Sequence, residues 1–332
     1  MTEKSLHVVA IGSAIVDVLA HADEAFLADH GMVKGSMQLI DEDTAHRLYA
    51  DMAPAIEASG GSAGNTAAGL ASLGARVGFV GRVRDDQLGE VFGHDIRSMG
   101  VDFRAPAATE GPATARCLIL LTSDAERTMN TFLGAASLLT PHDIDESYIA
   151  SAEVVYCEGY LWDVPEAKAA LVKAMDIARA SATKVAFTLS DSFCVDRHRA
   201  EFLELAEHRV DILFANESEI CSLYEVDTFD EAAERVAGHC EIACLTRSEK
   251  GSVIITSDGQ RVAVPAHPHG PLVDTTGAGD LYAAGFLYGL TRGDSLERCG
   301  QIGSLAAGEV ISHVGARPGV DLNELVAAEL PA

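Results

Sequence analysis

The segment richest in chemistry reads Val273-Asp274-Thr275-Thr276-Gly277-Ala278-Gly279-Asp280 and runs directly into the apolar stretch Leu281 to Leu290. Three small residues let a turn aim successive N–H groups at one point, and a following helix adds the positive end of its dipole there. Gly277, Ala278 and Gly279 are thus candidates for an anion hole that suits phosphoryl oxygens. Asp280 falls at the helix start, where the ionised form is favoured. A carboxylate beside a phosphate cradle has a use as the base that takes the proton of an attacking hydroxyl. As local structure alone, the same segment is a turn capped by Asp280. The two threonines, the flanking carboxylates and the long apolar helix favour the chemical reading. No G-x-x-x-x-G-K-[ST] run occurs anywhere, which excludes a P-loop.

A second Gly-rich segment runs from Ser59-Gly60-Gly61 through Asn65 to Gly74 and opens another helix. No strand is expected directly before it with G-x-G-x-x-G spacing, so a dinucleotide fingerprint is poorly supported. Small residues here permit close approach of a ligand, and Asn65 can both donate and accept; tight helix packing explains the same residues equally well. Asn216-Glu-Ser-Glu219 reads as a helix cap of Asn-x-x-Glu form.

Positioning these residues requires a layered frame. Short β-branched runs alternate with longer helical patterns, which predicts an α/β fold with a mostly parallel sheet covered by helices. Strands are expected at Val8–Ile11, Val77–Val80, Val154–Tyr156, Val185–Leu189, Ile212–Ala215, Ile242–Thr246 and Val253–Thr256. Helices are expected at Asn65–Leu73 and Gln87–Met99, each stopped by a following Gly, and at Leu281–Leu290 and Ser304–Ile311. Residues 30–40 and 101–133 break the alternation with strand-like patterns. Cys117–Thr122 and Thr128–Leu133, joined through Ser123-Asp-Ala-Glu126, read as a hairpin. No Pro-, Gly- or Ser-rich linker divides the chain. The expectation is one domain over residues 1–332 with a small β-appendage from about 14–42 and 101–133.

With 24 Lys+Arg against 50 Asp+Glu in 332 residues, the formal net charge is −26. Such a surface repels nucleic-acid phosphates and anionic membranes, which argues against both as partners. It also means that a polyanionic substrate needs local dipoles or a metal to overcome the global field. The seven cysteines are scattered without a C-x-x-C, against a disulfide framework or a zinc site. His239, Cys240 and Cys244 read as structural. Glu3 beside Lys4, and Asp17 inside the first apolar stretch, oppose a signal peptide, so a reducing cytoplasm is expected.

The two Gly-rich segments, in this order and separation, resemble the two signatures of the ribokinase-like (PfkB) carbohydrate and nucleoside kinase family, and the resemblance covers nearly the whole chain. Gly60-Gly61-Ser-Ala-Gly-Asn65 through Val80-Gly81-x-Val-x-x-Asp86-x-x-Gly89 resembles the first signature, and Asp274-Thr-Thr-Gly-Ala-Gly-Asp280 the second. Asn216-x-x-Glu219 matches the family's N-x-x-E element. Thr246-Arg-Ser-Glu-Lys-Gly251 occupies the place of its T-x-G-x-x-G turn beside the nucleotide, with Ser248 in place of the first Gly. The resemblance implies a ribokinase-like fold whose small β-sheet is a lid, with ATP as co-substrate and Mg²⁺ as cofactor. Asp280 would be the base, and Asn216, Thr246, Gly251, Gly277 and Gly279 would line the nucleotide. Asn216 and Glu219 would organise Mg²⁺ through water. Asp274 and Thr276 stand where relatives bind a monovalent cation such as K⁺. Asp17, Gly61 and Asn65 would hold sugar hydroxyls, Arg127 on the lid would reach phosphate or substrate, and Met37, Tyr160 and Phe193 would form an apolar slot for a base. Gly61-Ser-Ala-Gly-Asn65-Thr66 looks most like the adenosine-kinase-type branch, so the implied acceptor is a nucleoside, adenosine first. A sugar such as ribose or fructose, or a keto-deoxy sugar acid, is the alternative. A binding protein that kept the fold without catalysis is the reading from another class. The implied partners are these small molecules, with a homodimer among the assemblies relatives form.

Overall fold

The structure is a computed structural model describing residues 4–105, 107–124 and 126–331; Glu3, Pro106 and Ala125, which entered the readings above, lie outside it. The large sheet contains β1 (Leu6–Ile11), β5 (Val77–Val80), β6 (Asp102–Phe103), β9 (Ala152–Glu158), β10 (Lys184–Thr188), β11 (Ile212–Asn216), β12 (Ile242–Thr246), β13 (Ser252–Thr256) and β14 (Arg261–Val264). The small sheet contains β2 (Ile15–His21), β3 (Met37–Leu39), β4 (Ile56–Gly60), β7 (Ala115–Leu121) and β8 (Arg127–Phe132).

The large sheet has the order β14-β13-β12-β11-β10-β9-β1-β5-β6. It is parallel from β12 to β6, and β13 runs antiparallel to both of its neighbours, β12 and β14. Its central strands are apolar on both faces because helices cover both. In such a sheet ligands gather outside the carboxyl ends of the strands. Glu158, Asn216 and Thr246 end β9, β11 and β12 there.

The small sheet has the order β3-β8-β7-β2-β4. Its inner face supplies Val16, Val18, Leu118, Leu120 and Phe132 to the same buried cluster as Val8, Phe79 and Phe92, so the two sheets share a core. The expected hairpin is present as β7 and β8, antiparallel with Cys117 opposite Thr131.

Three differences from the sequence reading concern this sheet. Ile56–Gly60 forms a strand immediately before the Gly-rich helix, where none was expected. Its run Ile-Glu-Ala-Ser-Gly has little β-propensity, and pairing with β2 makes it a strand. The appendage therefore reaches beyond residues 14–42. Asp102–Phe103 joins β5 in the large sheet instead of the small one. Asp17 lies within β2, where the sequence reading placed no strand, opposite Ala58 and Cys117.

The expected helices are Ser62–Ser72, Gln87–Ser98, Ala278–Thr291 and Leu296–Val310, the last starting earlier than its apolar core suggested because Ser295 caps it. Among the described residues no helix is long and apolar enough to cross a membrane. All seven cysteines are free, and no group of three or more His, Cys, Asp or Glu among the described residues could hold a metal by itself.

Candidate active site

Asp280 is the third residue of the helix Ala278–Thr291, and the helix is capped by Gly277 without a side-chain bond, so Asp280 is not the cap. Gly277 has φ +81°, and a Cβ there would lie 2.7 Å from Ala316 O. Only glycine meets both conditions. The Gly277 and Gly279 N–H groups have no acceptor among the described residues, whereas Ala278 N–H turns back to Thr275 O at 3.3 Å. Two of the three expected anion-hole donors are therefore open. Gly277→Ala is expected to destabilise the fold by about 1–2 kcal/mol through the left-handed backbone and to raise the KM for nucleotide, measured by thermal melting and kinetics.

Both Asp280 oxygens are engaged from the helix Ser62–Ser72: Ser62 Oγ donates to Oδ1 at 2.6 Å and Asn65 Nδ2 to Oδ2 at 3.0 Å. Thr66 Oγ1 donates to Asp280 O at 3.2 Å. Burial raises the Asp280 pKa, and the bonds from Ser62 and Asn65 oppose that rise. Gly61 starts this helix at φ +86°. The helix start is braced by Glu158, fully buried, whose Oε1 accepts from Ser13 N at 2.7 Å and Oε2 from Ala63 N at 2.9 Å. Burial pushes the Glu158 carboxyl up, and those N–H groups hold it back.

Asp17 reaches over β4, where a Cβ on Gly60 would meet its carboxylate at 2.4 Å. Its carboxylate takes no hydrogen bond from the described residues. Burial pushes its pKa up to about 7; Arg317 and Arg127 counter this, while Asp280 and Asp274 add to it. These charges place Asp17 in the same neighbourhood as the Asp280 cradle.

Arg127, expected to reach phosphate or substrate from the lid, is largely buried against the protein's own carboxylate. It crosses from the small sheet to pair with Asp274 and donates to Thr276 Oγ1 at 3.0 Å. Asp274 also accepts from Thr276 N and Gly315 N, both at 3.0 Å. A guanidinium thus stands on the carboxylate expected to face a monovalent cation, which weighs against that ion in this arrangement.

Asn216 and Glu219 form a capping box: Glu219 N donates to Asn216 Oδ1 at 2.9 Å, and Asn216 N to Glu219 Oε2 at 3.0 Å. Burial and the charges of Asp191 and Asp280 push Glu219 up to about 7, against the Asn216 bonds. Beyond β12, Gly251 takes φ +83° and Ser248 takes φ +51°. The turn beside Thr246 keeps a left-handed residue at 248 although the sequence offers serine instead of glycine.

The apolar slot is the least assembled part. Phe193 is 69% exposed and Met37 42%, and Met37 is registered beside Met129 at the sheet edge. Tyr160 follows β9 and donates to Ser190 O at 3.4 Å, with no ring pair to Phe193 among the described residues. Sequence reasoning also missed Ser62, Glu158 and Arg317. Ser62 was inside a quoted motif and Glu158 opens the stretch Glu158-Gly-Tyr160-Leu161, which resembles a pocket lining, but neither was given a role; Arg317 carries no local pattern that marks it.

Residues 55–322 match the pfkB family carbohydrate kinase profile, and the chain belongs to this family. It is a phosphotransferase with an alcohol group as acceptor. It is similar to the adenosine kinase of Sinorhizobium meliloti, 52% identical with TM-score 0.91, covering 97% of this chain and 99% of that one. It is also similar to a probable sugar kinase protein from Rhizobium etli CFN 42, 49% identical with TM-score 0.92, covering 98% of both chains. The 5-dehydro-2-deoxygluconokinase of Geobacillus kaustophilus is 30% identical over 273 residues, 76% of this chain and 78% of the relative.

Proposed function

We propose that the protein transfers the γ-phosphoryl group of ATP to a primary hydroxyl of a nucleoside, the 5′-hydroxyl of adenosine first. The observation that carries this reading is the pairing of Asp280, oriented by Ser62 and Asn65, with the open Gly277 and Gly279 N–H groups. A base stands beside an anion hole, which is what transfer from a phosphoanhydride to a hydroxyl needs and what a mere binder has little use for. Asp280 takes the hydroxyl proton as the oxygen attacks. The N–H groups meet the charge that develops on the phosphoryl oxygens, and the helix dipole adds to them.

Asp17 bears on the choice of acceptor. The two arginines that act on Asp17 are both engaged, Arg127 by Asp274 and Arg317 by Ser59 and Asn65. These partners of Arg317 are neutral and its Nη2 has none among the described residues, a cation that a sugar-acid carboxylate could meet, whereas the vicinal hydroxyls of ribose give Asp17 two donors, which favours the nucleoside. The likeness to the Sinorhizobium adenosine kinase supports the same choice. The sugar-acid reading keeps the support of the Geobacillus relative. A coupled ADP-release screen over adenosine, other nucleosides, ribose, fructose and keto-deoxy sugar acids decides between them; phosphorylation of a sugar acid with inert nucleosides overturns the nucleoside reading.

The residues fit Mg²⁺ held largely by water and triphosphate. Glu219 is crowded by Asp191 and Asp280, a like-charge cluster that a nearby cation relieves, and no closed protein cage is present among the described residues. Bound there, Mg²⁺ would neutralise charge on the phosphate oxygens, with Asn216 and Glu219 ordering its water. Glu219→Gln leaves an acceptor for the Asn216 N–H but removes the negative charge. It is expected to raise the Mg²⁺ concentration needed for half-maximal rate and to slow transfer by about 10-fold, read from Mg²⁺ titrations of rate. Unchanged Mg²⁺ dependence would return Asn216 and Glu219 to a capping role alone.

A further inference from the structure

The segment after the helix Leu296–Val310 carries Arg317 into the site from the far end of the chain. Its Nε lies 3.4 Å from Asn65 Oδ1, and Nη1 meets Ser59 Oγ and, at 3.5 Å, Met99 Sδ. Nη2 is buried with no hydrogen-bond partner and stands 3.6 Å from where a Cβ on Gly64 would be. The segment is pinned on both sides of Arg317. Gly315 N donates to Asp274 Oδ2 at 3.0 Å and Gly319 N to Glu309 Oε1 at 2.9 Å, while Ala316 abuts Gly277. One short loop therefore touches both the anion-hole turn and the helix that orients Asp280.

We propose that Arg317 is a positioning residue: by taking Asn65 Oδ1 it holds the Asn65 amide with its N–H toward Asp280. This rests on Asp280 being the base. The two ends of an amide have nearly the same shape, so only its partners decide which faces where. In the observed orientation the amide oxygen meets a cation and the amide nitrogen meets a carboxylate. The flipped orientation sets oxygen against Asp280 and N–H against the guanidinium, two repulsive contacts. Without Arg317 one restraint is lost and Asn65, itself buried, is left with an oxygen lacking its cation.

The charged and titratable groups around this chain act from several elements. Asp280 interacts with Ser62 and Asn65 on the helix Ser62–Ser72 and with Tyr156, Glu158 and Tyr160 at the end of β9. It also acts on Glu219 and on Asp17 of β2. Arg317 faces Asp17 and Asp95.

The test is steady-state kinetics against pH for Arg317→Met and Arg317→Lys, each in the wild-type and Asn65→Ala backgrounds. Arg317→Met is expected to lower kcat about 10-fold with the KM for ATP changed by less than about 2-fold, and to cost less than about 2-fold once Asn65 is absent. The acid limb of kcat should move to higher pH, because a weakened Asn65 bond no longer opposes the rise that burial imposes on Asp280. Arg317→Lys, with charge but no planar fork, should recover part of the rate. An equal loss in both backgrounds, an unmoved acid limb, or a change confined to acceptor KM overturns the positioning role. If Arg317→Met does not fold, the Lys variant in the two backgrounds gives the same decision. Asp280→Asn separates the two levels: near-normal turnover removes the base itself, whereas loss of turnover there with additive Arg317 effects removes only the positioning role.

Discussion

Asp280→Asn is expected to lower turnover by about 10²-fold or more on the best acceptor, with little change in nucleotide KM. The amide keeps the shape of the carboxylate and can still accept from Ser62 or Asn65, so the helix start should be undisturbed. What is removed is the site that receives the hydroxyl proton. On the proposed reading the nucleotide would meet the Gly277 and Gly279 N–H groups, which belong to the backbone and survive the change. The wild-type rate should fall on acidification through the raised pKa of Asp280, since only the deprotonated form is a base. The residual rate of the variant should lack that limb. Rate profiles from pH 5 to 9 measure both features, and a variant with near-normal turnover would remove Asp280 from its role.

The parts of the site that were legible in sequence are those built within one turn of chain. The Gly277–Asp280 cradle needs small residues, a helix start and a carboxylate within four positions, and these are visible together. Asn216-x-x-Glu219 is similarly local, whereas Asn65, read as a ligand of sugar hydroxyls, meets Asp280 across 215 positions. The large sheet was legible because strands apolar on both faces leave continuous β-branched runs. The small sheet was only half legible. β4 becomes a strand through its ladder with β2, and its own residues carry no such signal. The Arg127–Asp274 pair closes over 147 positions of sequence, and Arg317 meets Asn65 across 252. No periodicity reports a partner at such distance. Glu158 was hidden for a related reason: a carboxylate at the end of an apolar strand looks like a strand boundary until the N–H groups of Ser13 and Ala63 converge on it.

Asp17→Ala is expected to cost roughly 2–4 kcal/mol of acceptor recognition, read as a loss of about 30- to 10³-fold in kcat/KM for adenosine. The carboxylate has no protein donor among the described residues, so on the proposed reading two hydroxyls of the acceptor would be its partners, and the variant would leave them unpaired. Removing one hydroxyl from the acceptor should cost part of the same energy, and the two losses should not add. The acceptor KM should also rise as pH falls through about 7, where Asp17 protonates. Stability carries the opposite sign. A folded-state pKa raised above the unfolded value means that the contribution of Asp17 to stability is full below about pH 4 and is lost as pH rises through 7. Asp17→Asn should therefore raise Tm at pH 8 more than at pH 5, even as it weakens acceptor binding. Saturating adenosine should narrow the Tm difference at pH 8, because wild type then gains the donors that the variant cannot use as well. An Asp17→Ala enzyme that phosphorylates adenosine and its deoxy analogues as wild type does would take Asp17 out of the acceptor site and leave the transfer chemistry at Asp280 untouched.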